Sequence, residues 1–185
     1  MAIHSVRRMP SPVLLRLDIV GFGPITIDPR SGTYLGVEVA ALPAMPDALS
    51  IETHPAPAAP AETGSGNALD GLLWFIGTHA FGSERATWLW PGDRYRLVRW
   101  PRLVAIPDAH DEVPVLAALG AAALNAAELA EAADITPERA QRTINALSLM
   151  GLLESESAAP PPTPRPPTAA TGGLFGRLRK RLGWG

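Results

Sequence analysis

"DEVPVLAALGAAALNAAELAEAADITPERAQRTINALSLMGLLES" (residues 111–155) holds the clearest pattern in this chain of 185 residues. It divides into three helices at two capping signals. The first helix runs from Asp111 to about Leu124. Asn125 can cap the second, with Glu128 three residues on to complete a capping box. Thr136 can cap the third, with Pro137 at its first position, where a missing N–H costs nothing. In that third helix Ala140, Ile144 and Leu147 recur on one face. Gly151 ends it, and Leu152-Leu153-Glu154 begins an extended segment.

Residues 126–154 resemble a winged helix-turn-helix domain. Leu129, Ala130 and Ala133 match the first helix of the motif, Ile135 its turn, and Ala140, Ile144 and Leu147 the buried face of the recognition helix. The resemblance implies a compact helical unit that often reads DNA by placing the third helix in the major groove. By spacing, that helix exposes Glu138, Gln141, Arg142, Asn145 and Ser148, of which Gln141, Arg142 and Asn145 are suited to base edges. Charge opposes this use. Between positions 111 and 156, eight acids face only Arg139 and Arg142, a net of −6. DNA binding rests on neutralising phosphates, and such a unit repels the duplex. The wing is also short, because the chain leaves its one strand for a run of Ser, Ala and Pro. A protein partner is therefore the leading expectation, and DNA the alternative.

Upstream, Leu15, Leu17 and Ile19 alternate with polar residues, turn residues follow at Gly21, Gly23 and Pro24, and Ile25 and Ile27 resume the pattern. A further strand is expected around Tyr34–Val39. Residues 1–42 thus form a β-rich segment. Residues 43–67 are dominated by Pro, Ala and small polar residues, and are expected to be a flexible linker. Within residues 68–103, Leu69, Leu72, Leu73 and Ile76 mark one helical face. "WLWPGDRYRLVRWPRL" then predicts a hairpin turning at Pro91-Gly92-Asp93, with Arg94–Trp100 as its second strand. Alternation puts Arg94, Arg96, Val98 and Trp100 on one face, and Tyr95, Leu97 and Arg99 on the other. Arg94, Arg96, Arg99 and Trp100 make a candidate basic-aromatic surface, of the kind found at protein hot spots or stacked on nucleic-acid bases. Trp88 and Trp90 are expected in the core. The arginines here give residues 84–103 a net of +3, matched for pairing with the acidic unit from position 108 to 155.

Residues 156–171 form a Pro-rich leash, expected to be disordered. It leads to "GGLFGRLRKRLGWG" (residues 172–185). On a helical projection Leu174, Phe175, Leu178 and Leu182 share one arc. Arg177, Arg179, Lys180 and Arg181 fall outside it, with Trp184 at the end. This basic amphipathic peptide is too short to be a stable helix alone. It is suited to a protein groove or, weakly, to an anionic membrane.

The remaining composition limits the chemistry. There is no cysteine, so disulfides, thiolate metal sites and thiol nucleophiles are excluded. The histidines (His4, His54, His79, His110) show no metal-ligand spacing. The Gly-rich stretches lack the features of a phosphate-binding loop. Fifteen arginines against one lysine suggest a GC-rich bacterial coding sequence. The net charge of −2 and the absence of a long apolar run give an expected cytoplasmic protein, with the tail able to hold it peripherally at the inner membrane surface. The expected fold is α+β: a small β-rich N-terminal half with one helix, then the winged-helix-like three-helix unit, then the tail. The expected function is that of a non-catalytic bacterial adaptor or regulatory protein without cofactor. The alternative is a DNA-binding transcriptional regulator, and a third reading is single-stranded nucleic-acid or nucleotide binding through the Arg/Trp hairpin.

Overall fold

Leu15 and Leu17 lie in β1 (Val13–Ile19), which turns back as β2 (Gly23–Asp28) in antiparallel register, Leu15 opposite Ile27 and Leu17 opposite Ile25. A computed structural model describes residues 13–19, 23–42, 49–55, 66–106 and 109–157. β3 (Thr33–Leu35) continues the meander, with Tyr34 opposite Ile27. Period-two alternation buries Leu15, Leu17, Ile25, Ile27 and Tyr34 on one face and leaves Arg16 exposed on the other. The β2–β3 turn is fixed locally. Asp28 accepts a hydrogen bond from the Arg30 N–H at 2.9 Å, and its carboxylate pairs with the Arg30 guanidinium at 2.8 Å. That guanidinium holds the Asp28 carboxyl below its ordinary value.

Residues 43–67 are not wholly a linker, contrary to the compositional expectation. They contain β4 (Leu49–Pro55), which pairs antiparallel with β1 along its length, and the first residue of β5 (Asn67–Ala68), which pairs with β3. The sheet runs β4-β1-β2-β3-β5. The physical reason is the open edge of β1, whose backbone groups need partners. "LSIETHP" alternates apolar and polar residues ahead of the Pro/Ala run, so it can supply them.

α1 (Leu69–His79) follows β5 directly, and the Leu69 N–H donates to the Gly32 carbonyl at 2.9 Å, tying the helix start to the β2–β3 turn. Three more helices follow: α2 (Ala109–Ala121), α3 (Ala126–Ala133) and α4 (Pro137–Leu149). Both caps form as their sequence suggests. The Asn125 side chain accepts from Ala127 and Glu128 N–H at 3.0 Å, and Glu128 returns to Asn125 N–H at 3.0 Å. Thr136 accepts from Arg139 N–H at 3.2 Å.

The hairpin at Pro91-Gly92-Asp93 is not formed. The chain does turn there, with Gly92 at φ +83°, but β6 (Arg94–Leu97) pairs with β7 (Leu153–Glu156) instead. On its other side Tyr95 exchanges both backbone hydrogen bonds with Leu124, at 2.9 and 3.0 Å. Ahead of the turn, Ala86, Trp88 and Leu89 are drawn inward, away from a hairpin, while Thr87 stays exposed. Ala86 and Leu89 are buried, and the half-buried Trp88 donates its indole N–H to Ser148 Oγ at 3.0 Å. Trp90, expected in the core, is 67% exposed. The result is a mixed α+β chain with four helices and two antiparallel sheets among the described residues. The inner face of the larger sheet and the helices share one hydrophobic cluster.

Candidate functional site

α4 is where the chain's packing and its polar chemistry meet. Ala140, Thr143, Ile144, Asn145, Ala146, Leu147 and Leu149 are all buried, so the helix is covered on more than its usual one stripe. α3 covers one side. α1 covers another so closely that Gly77 admits no side chain: a Cβ there would lie 2.7 Å from Ala146 N.

This packing changes the three residues that the sequence offers for base contacts. Asn145, expected to be exposed, has no exposed surface. Its Oδ1 accepts from Ala86 N–H at 3.1 Å and Gln141 Nε2 at 3.0 Å, and its Nδ2 donates to the Glu84 carbonyl at 2.8 Å. Gln141 is thus turned toward Asn145, and Arg142 donates from Nε to the Gly82 carbonyl at 3.2 Å while remaining exposed. Ser148 receives Trp88. The loop from α1 to β6 therefore uses the polar side of α4 that a groove-binding helix would present. A helical wheel shows one helix and cannot show which loop returns to cover it.

Beside α4 lies a cleft of about 350 Å³ between the last turns of α1, the first turn of α2 and α4. On one wall Glu112 is held by Arg139 at 2.9 Å and by the Thr143 hydroxyl at 3.3 Å. Arg139 also donates to the Asp111 carbonyl at 3.2 Å. On the α1 side Phe75 and His79 stack with centroids 4.4 Å apart. His79 Nδ1 lies 2.9 Å from both the Phe75 carbonyl and Thr78 Oγ1. The sequence marks Asp111 and Glu112 only as a helix start. The i, i+4 pairs Phe75/His79 and Arg139/Thr143 were readable as shared faces, but nothing local links them to Glu112.

In the basic-aromatic surface the expected alternation holds only as far as Leu97, where the strand ends, not to Trp100. Tyr95 and Leu97 are buried and Arg94 and Arg96 exposed, whereas Val98, Arg99 and Trp100 beyond it are all exposed, Arg99 included although it was expected on the face of Tyr95 and Leu97. The pairing between this segment and the acidic unit is present: Arg94 bonds Glu128, and Arg96 lies 3.9 Å from Glu156. Arg99 and Arg102 are exposed and form no ion pair among the described residues. Near them Val98, Trp100 and Val104 are 54%, 48% and 97% exposed. Glu128 serves both its cap and Arg94. Its carboxyl is held below the ordinary value, first by the Asn125 N–H and then by Arg94. Arg94→Ala should therefore raise the Glu128 pKa only part of the way, as read by NMR titration of its side-chain carbon. Because the folded value is depressed, this cap stabilises above the unfolded glutamate value and is lost as pH falls through the folded one. Glu128→Gln, which keeps a capping side chain, should remove that portion of the acid sensitivity.

The proposed tail residues Leu174, Phe175, Arg177, Leu178, Arg179, Lys180, Arg181, Leu182 and Trp184 lie outside the described residues, as does the Pro-rich leash from position 158. Among the described residues no group of three or more His, Asp or Glu side chains is placed to hold a metal ion. No described helix is long and apolar enough to cross a membrane. No protein-family model, curated protein or solved structure matches the chain.

Proposed function

We propose that this chain is a non-catalytic adaptor or regulatory protein, built on a winged-helix-like unit, that binds a protein partner carrying acidic and apolar side chains. The order α2–Leu124–α3–α4–β7 supports the winged-helix-like reading. Its departure among the described residues is the wing: β7 pairs with β6, which precedes the unit. The observation that carries the function is the contrast between two surfaces. The polar side of α4 is engaged within the chain, whereas Arg99 and Arg102 stand without ion-pair partners among the described residues, beside exposed Trp100, Val98 and Val104. Trp and Arg together are the side chains from which binding hot spots are made, and unpaired guanidinium groups select an acidic partner. The basic peptide at 172–185 adds recruitment on the strength of its sequence alone.

The DNA alternative has less in its favour. Asn145 is buried, Gln141 is turned to it, and only Arg142 remains exposed of the three. The test compares quantified partner sets for the full chain, a chain ending at position 157, and a Trp100→Ser/Arg99→Ala/Arg102→Ala variant with unchanged melting temperature. A partner held by wild type should lose at least about ten-fold of its affinity for the triple variant, a difference of about 1.4 kcal/mol. It should also weaken as salt rises. Equal retention by the triple variant overturns the surface assignment, and equal retention by the shortened chain removes the tail. Retarded migration of duplex DNA by the full chain at physiological salt would favour the alternative.

A further inference from the structure

From the cleft between α1, α2 and α4 we infer a binding site for a small aromatic monocarboxylate, a ligand class independent of the adaptor reading. Glu112 is mostly buried and satisfied by Arg139 and Thr143, so that pair contributes little net charge. Asp111 lies at the exposed margin, 3.0 Å from His110. Arg142 differs from these. Only its Nε is engaged, by an uncharged carbonyl, so its terminal N–H groups retain their donors and its charge has no carboxylate partner among the described residues. A guanidinium in that state selects a planar anion, which it can hold through two parallel hydrogen bonds.

The α1 side of the cleft selects the second half of the ligand. Phe75 and His79 form a stacked pair, their planes 25° apart, with nearly buried Trp74 also lining the cleft. Such a wall favours a flat ring, in offset-stacked or edge-on contact. The His79 tautomer follows from its neighbours. The Phe75 carbonyl can only accept, and the Thr78 hydroxyl is 2.9 Å from the Trp74 carbonyl, to which it donates. Nδ1 therefore carries a proton, and in the neutral ring Nε2, on the side away from α1, is an acceptor. It suits a hydroxyl on the ligand's ring.

Size and charge narrow the class further. About 350 Å³ is near the lower end for ligand pockets, room for one ring and its substituents. With Glu112 neutralised by Arg139, Asp111 at the margin is the acid left to repel an anion, and a dianion such as a phosphate monoester meets that repulsion about twice as strongly as a monocarboxylate does. An amine would have to compete with Arg139 and Thr143 for Glu112, which is already coordinated.

The test titrates the full chain with benzoate, 4-hydroxybenzoate, benzamide, phenyl phosphate and benzylamine, by calorimetry and by tryptophan fluorescence, since Trp74 lies in the wall. One saturable site for benzoate is expected, tighter for 4-hydroxybenzoate, and weaker by at least about ten-fold for the neutral benzamide. Arg142→Gln should lose about ten-fold or more of the benzoate affinity, with a melting temperature lowered only slightly, by the one exposed hydrogen bond to the Gly82 carbonyl that it gives up. Arg142→Lys should fall between the two. Equal binding of benzoate and benzamide, tighter binding of phenyl phosphate or benzylamine, an Arg142→Gln variant that binds like wild type, or no saturation by about 10 mM would each overturn the assignment.

Discussion

Gly77→Val should abolish cooperative folding, or leave a state in which α1 has separated from α4. A Cβ at position 77 would sit 2.7 Å from Ala146 N and 2.8 Å from Ala146 Cβ. The first of these is backbone, so no rotamer change relieves it, and the two helices must move apart. Even Gly77→Ala should be destabilising. It gains about 1 kcal/mol of helix propensity, but separating a packed helix pair costs on the order of 3–5 kcal/mol here, at and above the top of the usual overpacking range. A net loss of about 2–4 kcal/mol is a large part of a typical domain's ~5–15 kcal/mol. Gly120→Ala is the matching control. It lies in α2, nothing approaches its Cβ position within 4 Å, and it should be stabilised by up to about 1 kcal/mol. Urea unfolding followed by tryptophan fluorescence reads both. Replacing Ala146 by Gly should restore the Gly77→Ala variant only in part, since it removes the Cβ contact and leaves the backbone one. A Gly77→Ala chain as stable as Gly120→Ala would mean that α1 does not lie on α4 as described.

The elements that the sequence disclosed are those whose determinants are local. Asn125 with Glu128, and Thr136 with Pro137, place α3 and α4 to within a residue, because a cap is a contract between neighbours three positions apart. The alternation from Arg94 to Trp100 likewise pointed to a strand and its two faces, but the strand itself stops at Leu97. Pairing was not legible. "WPGDRY" is a sound turn, but whether its flanks form a hairpin depends on what competes for them. Here β7 and Leu124 take both edges of β6, while Trp88 is drawn to Ser148, sixty residues on. The strand β4 was hidden for a related reason. Its composition merges into a Pro/Ala run, and only the unpaired edge of β1 calls it into the sheet. The cleft was the least visible feature. Phe75, Glu112 and Arg142 come from three helices, and taken alone they read as a core aromatic, a helix start and a candidate base contact.

Asn145→Ala is expected to cost about 2–4 kcal/mol, far more than an exposed recognition-helix residue could. Truncation leaves the Ala86 N–H without its acceptor and the Glu84 carbonyl without its donor. Ala86 is wholly buried, so water cannot readily replace the lost acceptor. Asn145→Leu should do no better, since it restores volume but neither hydrogen bond. Asn145→Asp separates the two. It keeps the acceptor for Ala86 but, when ionised, turns a second carboxylate oxygen toward the Glu84 carbonyl. Burial and that carbonyl should raise the folded pKa of the new carboxyl. The variant should then be most stable below the unfolded aspartate value, where the protonated acid can donate to Glu84, and lose stability as pH rises toward the folded value. Wild type has no such dependence at this position. Amide exchange at Ala86 should quicken in the Ala and Leu variants and much less in the Asp variant at low pH. These outcomes also discriminate between functions. If Asn145 read a base edge, Asn145→Ala would keep its stability and lose sequence-selective binding. Loss of stability first, with exchange opening at Ala86, assigns the residue to holding the α1–β6 loop across α4, and so to covering the face that a major groove would need.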